Sequence, residues 1–272
     1  MTTGANDAVS DQPFALLGLA TDLARRAGTL ALDGRRSVRD MATGPTKSSA
    51  TDLVTEFDHA AERLVVDHLR RLRPDDAVVG EEGTSVEGVS GYAWYIDPID
   101  GTTNFVYDLP SWCTSIAVTL DGVAVAGAVY VPVTDEMFAA AAGGGATLDG
   151  RIIRCSERDE TRLALVATGF GYDARIRASQ ADRVSRLISS IRDIRRLGSA
   201  AIDLCHVAAG RVDAYYEEHL NAWDAAAGLL IATEAGAVGS DFSGGPARHE
   251  ELLVAAPGVH AELLELLATT SC

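Results

Sequence analysis

The sequence predicts an α+β fold in two joined halves: an antiparallel sheet covered by two helices, then a mixed sheet set between helices. Three observations carry that reading. The chain opens with two stretches whose apolar residues recur at three- and four-residue steps. Short β-prone runs, divided by Asp-Gly and Gly-rich turns, follow to about residue 155. Beyond that point strand-like and helix-like runs alternate. The size agrees: 272 residues, 47% of them hydrophobic, bury a substantial core as one large domain or two closely joined ones.

Each element has its own signal. Residues 1–13 are small and polar, with no charged start or apolar run, and read as a flexible tail rather than a signal peptide. The first helix, 14–33, turns Leu16, Leu19, Leu23, Ala27, Leu30 and Ala31 to one face, and a Gly/Pro/Ser-bearing loop follows at 37–51. The second, 55–73, turns Phe57, Ala61, Leu64, Val65, Leu69 and Leu72 inward and stops at Pro74. Strands are predicted at 77–79, 93–96, 115–120 and 123–131, the last two joined by Asp121-Gly122, where both residues tolerate positive φ. Two more, 136–142 and 151–155, flank the glycines at 143–145. In the second half the order is strand 163–168, helix 178–191, strand 194–197, helix 199–209, strand 212–217, helix 223–235, strands 238–242 and 252–255, and helix 259–268. Asn221 or a residue near it caps the helix at 223, and Gly236 stops it. The seam falls at 155–162, giving an N-terminal α+β half over 14–158 and a C-terminal α/β half over 159–272.

Charge narrows the function. Lys plus Arg is 23 and Asp plus Glu is 39, so the balance is 23 − 39 = −16. That opposes non-specific contact with nucleic acid or anionic lipid. A small anionic substrate still fits if something local reverses the field. No run of 18 apolar residues suggests a membrane span. Four scattered cysteines with no C-x-x-C pair suggest reduced thiols and a cytoplasmic location.

The densest chemistry lies between Gly80 and Asn104. Gly80-Glu81-Glu82 follows one predicted strand, and Asp97-Pro98-Ile99-Asp100-Gly101-Thr102 follows another. A tight turn there, with φ fixed at Pro98, brings Asp97 and Asp100 to one point, and Gly101 lets the backbone pass close to a ligand. Carboxylates gathered so closely repel unless a cation neutralises them. The donors are hard oxygens and no histidine lies in the segment, which favours Mg²⁺ or Mn²⁺ over zinc. Such ions also trap phosphate and activate water.

These residues carry a resemblance. The string Trp94 to Phe105 (WYIDPIDGTTNF) resembles the signature of the inositol monophosphatase family, and Gly80-Glu81-Glu82 resembles its upstream glutamate motif. Asn221 to Gly228 (NAWDAAAG), Lys47 to Asp58, Arg195 to Leu204 and Val212 to Glu217 resemble further family segments, in order, and the match spans about 14–268. The chain looks most like the bacterial SuhB-type branch. The resemblance implies a five-layered αβαβα sandwich of the inositol monophosphatase and fructose-bisphosphatase type. It implies metal ligation by Glu81, Asp97, the carbonyl of Ile99, Asp100 and Asp224, with two or three Mg²⁺ ions and inhibition by Li⁺. Glu81 and Thr102 are then expected to orient the attacking water, and Asp58 to polarise Thr102. Lys47 matches a lysine near the catalytic loop. Substrate contacts are expected from Asp100, Gly101, Thr102, Gly198, Ser199, Ala200, Glu217 and Asp224. The implied reaction is hydrolysis of myo-inositol 1-phosphate or another small phosphorylated polyol by direct attack of water, with histidinol phosphate as the alternative substrate. A homodimer is implied, as is the option of a protein partner in transcription. His206, on an apolar helix, reads as a packed histidine rather than a ligand.

Overall fold

The structure, a computed structural model, describes residues 12–38 and 55–268. Residues 1–11 of the expected tail, and Lys47 with the segment around it, lie outside the described residues. Helices α1 (Gln12–Ser37) and α2 (Glu56–Leu72) come first. Eight strands then form one sheet: β1 (Ala77–Gly80), β2 (Ser85–Val86), β3 (Tyr92–Asp100), β4 (Cys113–Leu120), β5 (Val123–Val131), β6 (Glu136–Ala141), β7 (Ala146–Leu148) and β8 (Arg151–Ile153). Their order is β2-β1-β3-β4-β5-β6-β7-β8, antiparallel throughout except that β1 runs parallel to β3. The short helix α3 (Thr102–Val106) follows β3 directly.

Five strands form the second sheet: β9 (Leu165–Thr168), β10 (Asp193–Arg195), β11 (Ala214–Glu218), β12 (Val238–Ser240) and β13 (Glu251–Ala255). The order is β10-β9-β11-β13-β12, with β9 parallel to both its neighbours. Helices α4 (Ala174–Leu187), α5 (Ala200–Ala208), α6 (Ala222–Glu234) and α7 (Pro257–Ala268) pack on it or against it.

Period-two alternation in the strands stacks these elements into five layers. On one face of the large sheet, Trp94, Ile116, Val118 and Ala128 pack with Leu23 and Ala27 of α1 and Val65 and Leu69 of α2. On the other face Ala117, Val129 and Phe138 meet Leu204 and Val207 of α5 and Ile231 of α6. Those helices also cover Tyr215, Leu252 and Val254 of the small sheet. Its far face turns Val166, Tyr216, Leu253 and Ala255 to Leu187 of α4 and to Leu263 and Leu267 of α7. The αβαβα sandwich implied by the resemblance is therefore the fold. Small residues set the spacing of its middle layer: a Cβ on Gly127 of β5 would stand 3.0 Å from the Cα of Ala227 in α6.

Three expectations change. The tight turn at Asp97–Asp100 is instead the end of β3, which stays paired with β4 to Asp100. The pairing shifts register between Asp97 and Asp100. Pro98 cannot donate to a ladder, and a bulge accommodates that; Thr114 Oγ1 donates to the Pro98 carbonyl at 2.8 Å. Helix α4 starts at Ala174, not 178, because Asp173 caps it, accepting from Arg175 N at 2.7 Å. The strand expected from 163 starts at Leu165, since 161–163 form a 3₁₀ turn. The elements α3, β2 and β7 are too short to show a sequence period.

One buried acid anchors the large sheet. Asp76, 3% exposed, accepts from Trp94 Nε1 at 2.8 Å, Ser90 Oγ at 2.7 Å and Arg73 Nε at 2.7 Å. Burial pushes its carboxyl up, but these donors together hold it below the usual carboxylate value. Its folded value lies below the unfolded one, so its contribution is present above pH ~4 and fades as pH falls through the folded value. Replacing Asp76 by Ala leaves three donors without their acceptor, and a loss of about 2–4 kcal/mol is expected. Urea unfolding of D76A against the parent protein measures it.

Candidate active site

The site forms where strands end. In parallel neighbours the C-terminal ends share one edge, and ligands bind in the crevice outside that edge. Glu81 follows β1, and Asp97 and Asp100 close its parallel neighbour β3. In the small sheet Gly169 follows β9, Gly198 comes soon after β10, and Glu217 ends β11. Together with Ile99, Gly101, Thr102, Ser199, Ala200 and Asp224, these residues line one cleft of about 300 Å³ between the sheets.

Helix starts hold three of the acids in place. Asp58 and Asp224 each occupy the third position of a helix, where a carboxylate reaches back to the N-cap backbone. Asp58 Oδ2 accepts from Thr55 N at 2.8 Å and from Thr55 Oγ1, while Oδ1 stands 3.4 Å from Thr102 Oγ1. Asp224 Oδ2 accepts from Asn221 N at 2.6 Å. Asp100 Oδ2 takes Ser199 Oγ at 2.6 Å and Ala201 N at 2.7 Å, both at the start of α5. Asp58 is thus held at both oxygens, while Asp100 and Asp224 are each held through Oδ2. Thr102 Oγ1 also donates to the Ile99 carbonyl at 3.1 Å. Asn104 joins the two halves, donating to Ser111 O at 2.5 Å and Leu197 O at 2.7 Å. Gly101 and Gly198, at φ 96° and 95°, make that closeness possible: a Cβ on Gly101 would stand 2.9 Å from Ser111 O.

The charges in the cleft oppose one another. Burial, then Glu81, Asp100 and Asp224, push the Asp97 carboxyl well above its ordinary value. Burial drives Asp224 up strongly, with Asp100 and Glu81 adding to it. Burial raises Asp100 to about 6, against the pull of its bonds to Ser199 and Ala201. Glu217 rises to about 7, again chiefly through burial. It accepts from Tyr215 Oη at 2.6 Å, and a Cβ on Gly169 would overlap its carboxyl.

Among the described residues, no group of three acidic, histidine or cysteine side chains closes into a chelate as it stands. The donor chemistry nevertheless fits a hard divalent cation. The wall offers four carboxylates and a carbonyl, all oxygen, in a buried cleft short of positive charge.

All the site residues expected from the sequence line this cleft except Asp58, which reaches it through Thr102, and Lys47, which lies outside the described residues. Sequence reading missed Asp203 and Arg196, which also line it, and the Gly169–Tyr172 loop. The loop had a signal, a glycine pair directly after a strand that begins a parallel unit. It missed Glu62 too, a buried helix residue that accepts from Glu82 N at 2.8 Å and Thr84 Oγ1 at 2.6 Å and so fixes the loop bearing Glu81. His206 is a packed histidine, held neutral with its value lowered to about 4 by burial and by Arg211.

Strand ends of a five-layer sandwich thus converge on a cleft whose carboxylates repel one another. The chain belongs to the inositol monophosphatase family, whose model matches residues 15–272. It is 42% identical to inositol-1-monophosphatase SuhB of Mycobacterium tuberculosis, over 94% of each chain. It is 40% identical to Nus factor SuhB of Escherichia coli, over 85% of this chain and 86% of that one. The solved inositol monophosphatase of Anabaena (Nostoc) superposes with a TM-score of 0.84, at 33% identity over 94% of this chain and 96% of that one.

The raised carboxyls set a pH dependence. The folded value of Asp97 lies above the unfolded value of about 3.9. Its burial therefore costs little while it is protonated and destabilises the cation-free fold as pH rises through the folded value. In EDTA, D97N is expected to melt about 3–8 °C above the parent at pH 7.5, with the gap shrinking toward pH 4. Thermal melts of both proteins across that range test the sign.

Proposed function

We propose that this enzyme hydrolyses small phosphate monoesters, myo-inositol 1-phosphate first among them, with Mg²⁺ as its cation. The observation that carries the proposal is the convergence of Glu81, Asp97, Asp100 and Asp224 from both halves of the fold on one cleft, with Asp97 and Asp100 buried and Glu81 and Asp224 partly buried. Buried carboxylates in mutual contact destabilise a fold unless cations occupy the site, so their retention points to use.

Glu81, Asp97, the Ile99 carbonyl, Asp100 and Asp224 would hold the ions. When bound, Mg²⁺ supplies charge for the phosphate oxygens and lowers the pKa of water. The chain's own residues do the positioning. Asp58 accepts from Thr102 Oγ1, and the same hydroxyl reaches the Ile99 carbonyl, so the Thr102 oxygen is fixed on the wall of the cleft that Glu81 also lines. Its lone pairs then orient a water toward phosphorus. Asp100 and the α5 start are locked together, which sets the distance between the two halves of the site. The small-sheet side, with Gly198, Ser199, Ala200 and Glu217, receives the alcohol.

The Escherichia coli relative is named as a Nus factor, and a partner-binding role is the second reading. The intact acid set favours catalysis. A homodimer is proposed on family resemblance.

A panel of inositol 1-phosphate, histidinol phosphate and fructose 1,6-bisphosphate at fixed Mg²⁺ tests the substrate, with the first expected to give the highest kcat/KM. D97N is expected to lower kcat by at least about 100-fold. EDTA abolishes turnover on this reading, and Li⁺ inhibits it. Full activity in D97N, or turnover unaffected by EDTA, overturns the proposal.

A further inference from the structure

Asp203 gains the helix-start dipole but no hydrogen-bond donor at its Oδ1. It lies in the first turn of α5 and is 1% exposed. It is the fourth helical residue, one past the position from which Asp58 and Asp224 reach back to their N-caps. The start of α5 is capped without it, because Ser199 Oγ accepts from Ile202 N. Its Oδ1 is buried and has no hydrogen-bond partner among the described residues. Three other charges face it: Glu217 on β11, Asp100 at the end of β3, and Arg196 before α5. Two of these are acids, so an ionised Asp203 is opposed by its neighbours as well as by burial. An uncompensated buried carboxyl of this kind lowers stability. Residues that cost stability without a packing return concentrate at functional sites.

Asp203 also forms part of the floor of the cleft, beside Glu217 and Arg196. Tyr215 Oη already satisfies Glu217 Oε2. Arg196 turns toward the loop after β9, with Nη2 3.5 Å from the Phe170 carbonyl. Asp203 Oδ1 is therefore left without a partner there.

We propose that Asp203 is a specificity-determining residue: beside Glu217, its unpaired carboxyl oxygen pairs with a hydroxyl of a polyhydroxylated leaving group. A polyol hydroxyl both donates and accepts, so it can satisfy the unpaired Asp203 oxygen at the floor of the cleft, and a polyol carries several such groups. The inference rests on the phosphatase reading and names the alcohol class that this site selects.

The test compares D203N with the parent on three esters at saturating Mg²⁺: myo-inositol 1-phosphate, histidinol phosphate and p-nitrophenyl phosphate. The ratio of kcat/KM for the inositol ester to that for the aryl ester is expected to fall about 10–100-fold, mostly through KM. The melting temperature of D203N is expected to rise, since an unpaired buried carboxyl is removed. A structural role predicts the reverse, a fall in melting temperature with all three esters slowed alike, and that result overturns the inference. So does an unchanged ratio, or a parent enzyme that prefers the ammonium-bearing histidinol ester. Failure of the parent to cleave any of the three would sink the phosphatase reading and the inference together; cleavage of the aryl ester with an unchanged ratio would sink the inference alone.

Discussion

Mutual repulsion among buried carboxylates is the constraint around which this molecule is built. Burial pushes Asp97, Asp100 and Asp224 up, and Glu81 adds to the rise at each of them. A fold cannot hold such groups by packing alone; it must pin each to a frame stiff enough to resist the repulsion. Backbone amides at helix starts and the ends of paired strands provide that frame. They are dipoles the fold has already oriented, and they stabilise negative charge where it is anchored.

The two halves depend on each other through the same groups. Asp100 belongs to the large sheet, yet its hydrogen-bond partners Ser199 and Ala201 begin a helix that follows the small sheet. Asn104 spans the same gap through two carbonyls. The middle helical layer, lined with alanine and glycine, lets the sheets approach closely enough for these bonds to form. Metal ligation, substrate contact and domain packing are therefore one problem. A change that widened the middle layer would separate Asp100 from its anchors.

Stability is distributed accordingly. Asp76 is buried and fully supplied with donors, so it strengthens the sheet. Asp203 is equally buried and is not supplied, so it weakens the helix that carries it. The two acids are buried alike and differ in the donors each one finds.

Much of this was legible in the sequence. Apolar periodicity located the long helices and strands, because burial of one face forces that period. The eight residues from Asp97 to Asn104, with Glu81 upstream, declared oxygen-ligand chemistry, because so many acids and turn formers in one short stretch have no packing use. Lost in the sequence were contacts between residues far apart in it. The bulge that carries β3 through Pro98 depends on its partner β4. The roles of Glu62 and Gly169 depend on what lies against them, and Asp203 is set apart only by having no donor nearby. Residue type and local spacing fix what a side chain can do; whether it is satisfied or left waiting is decided by neighbours that only the folded chain supplies.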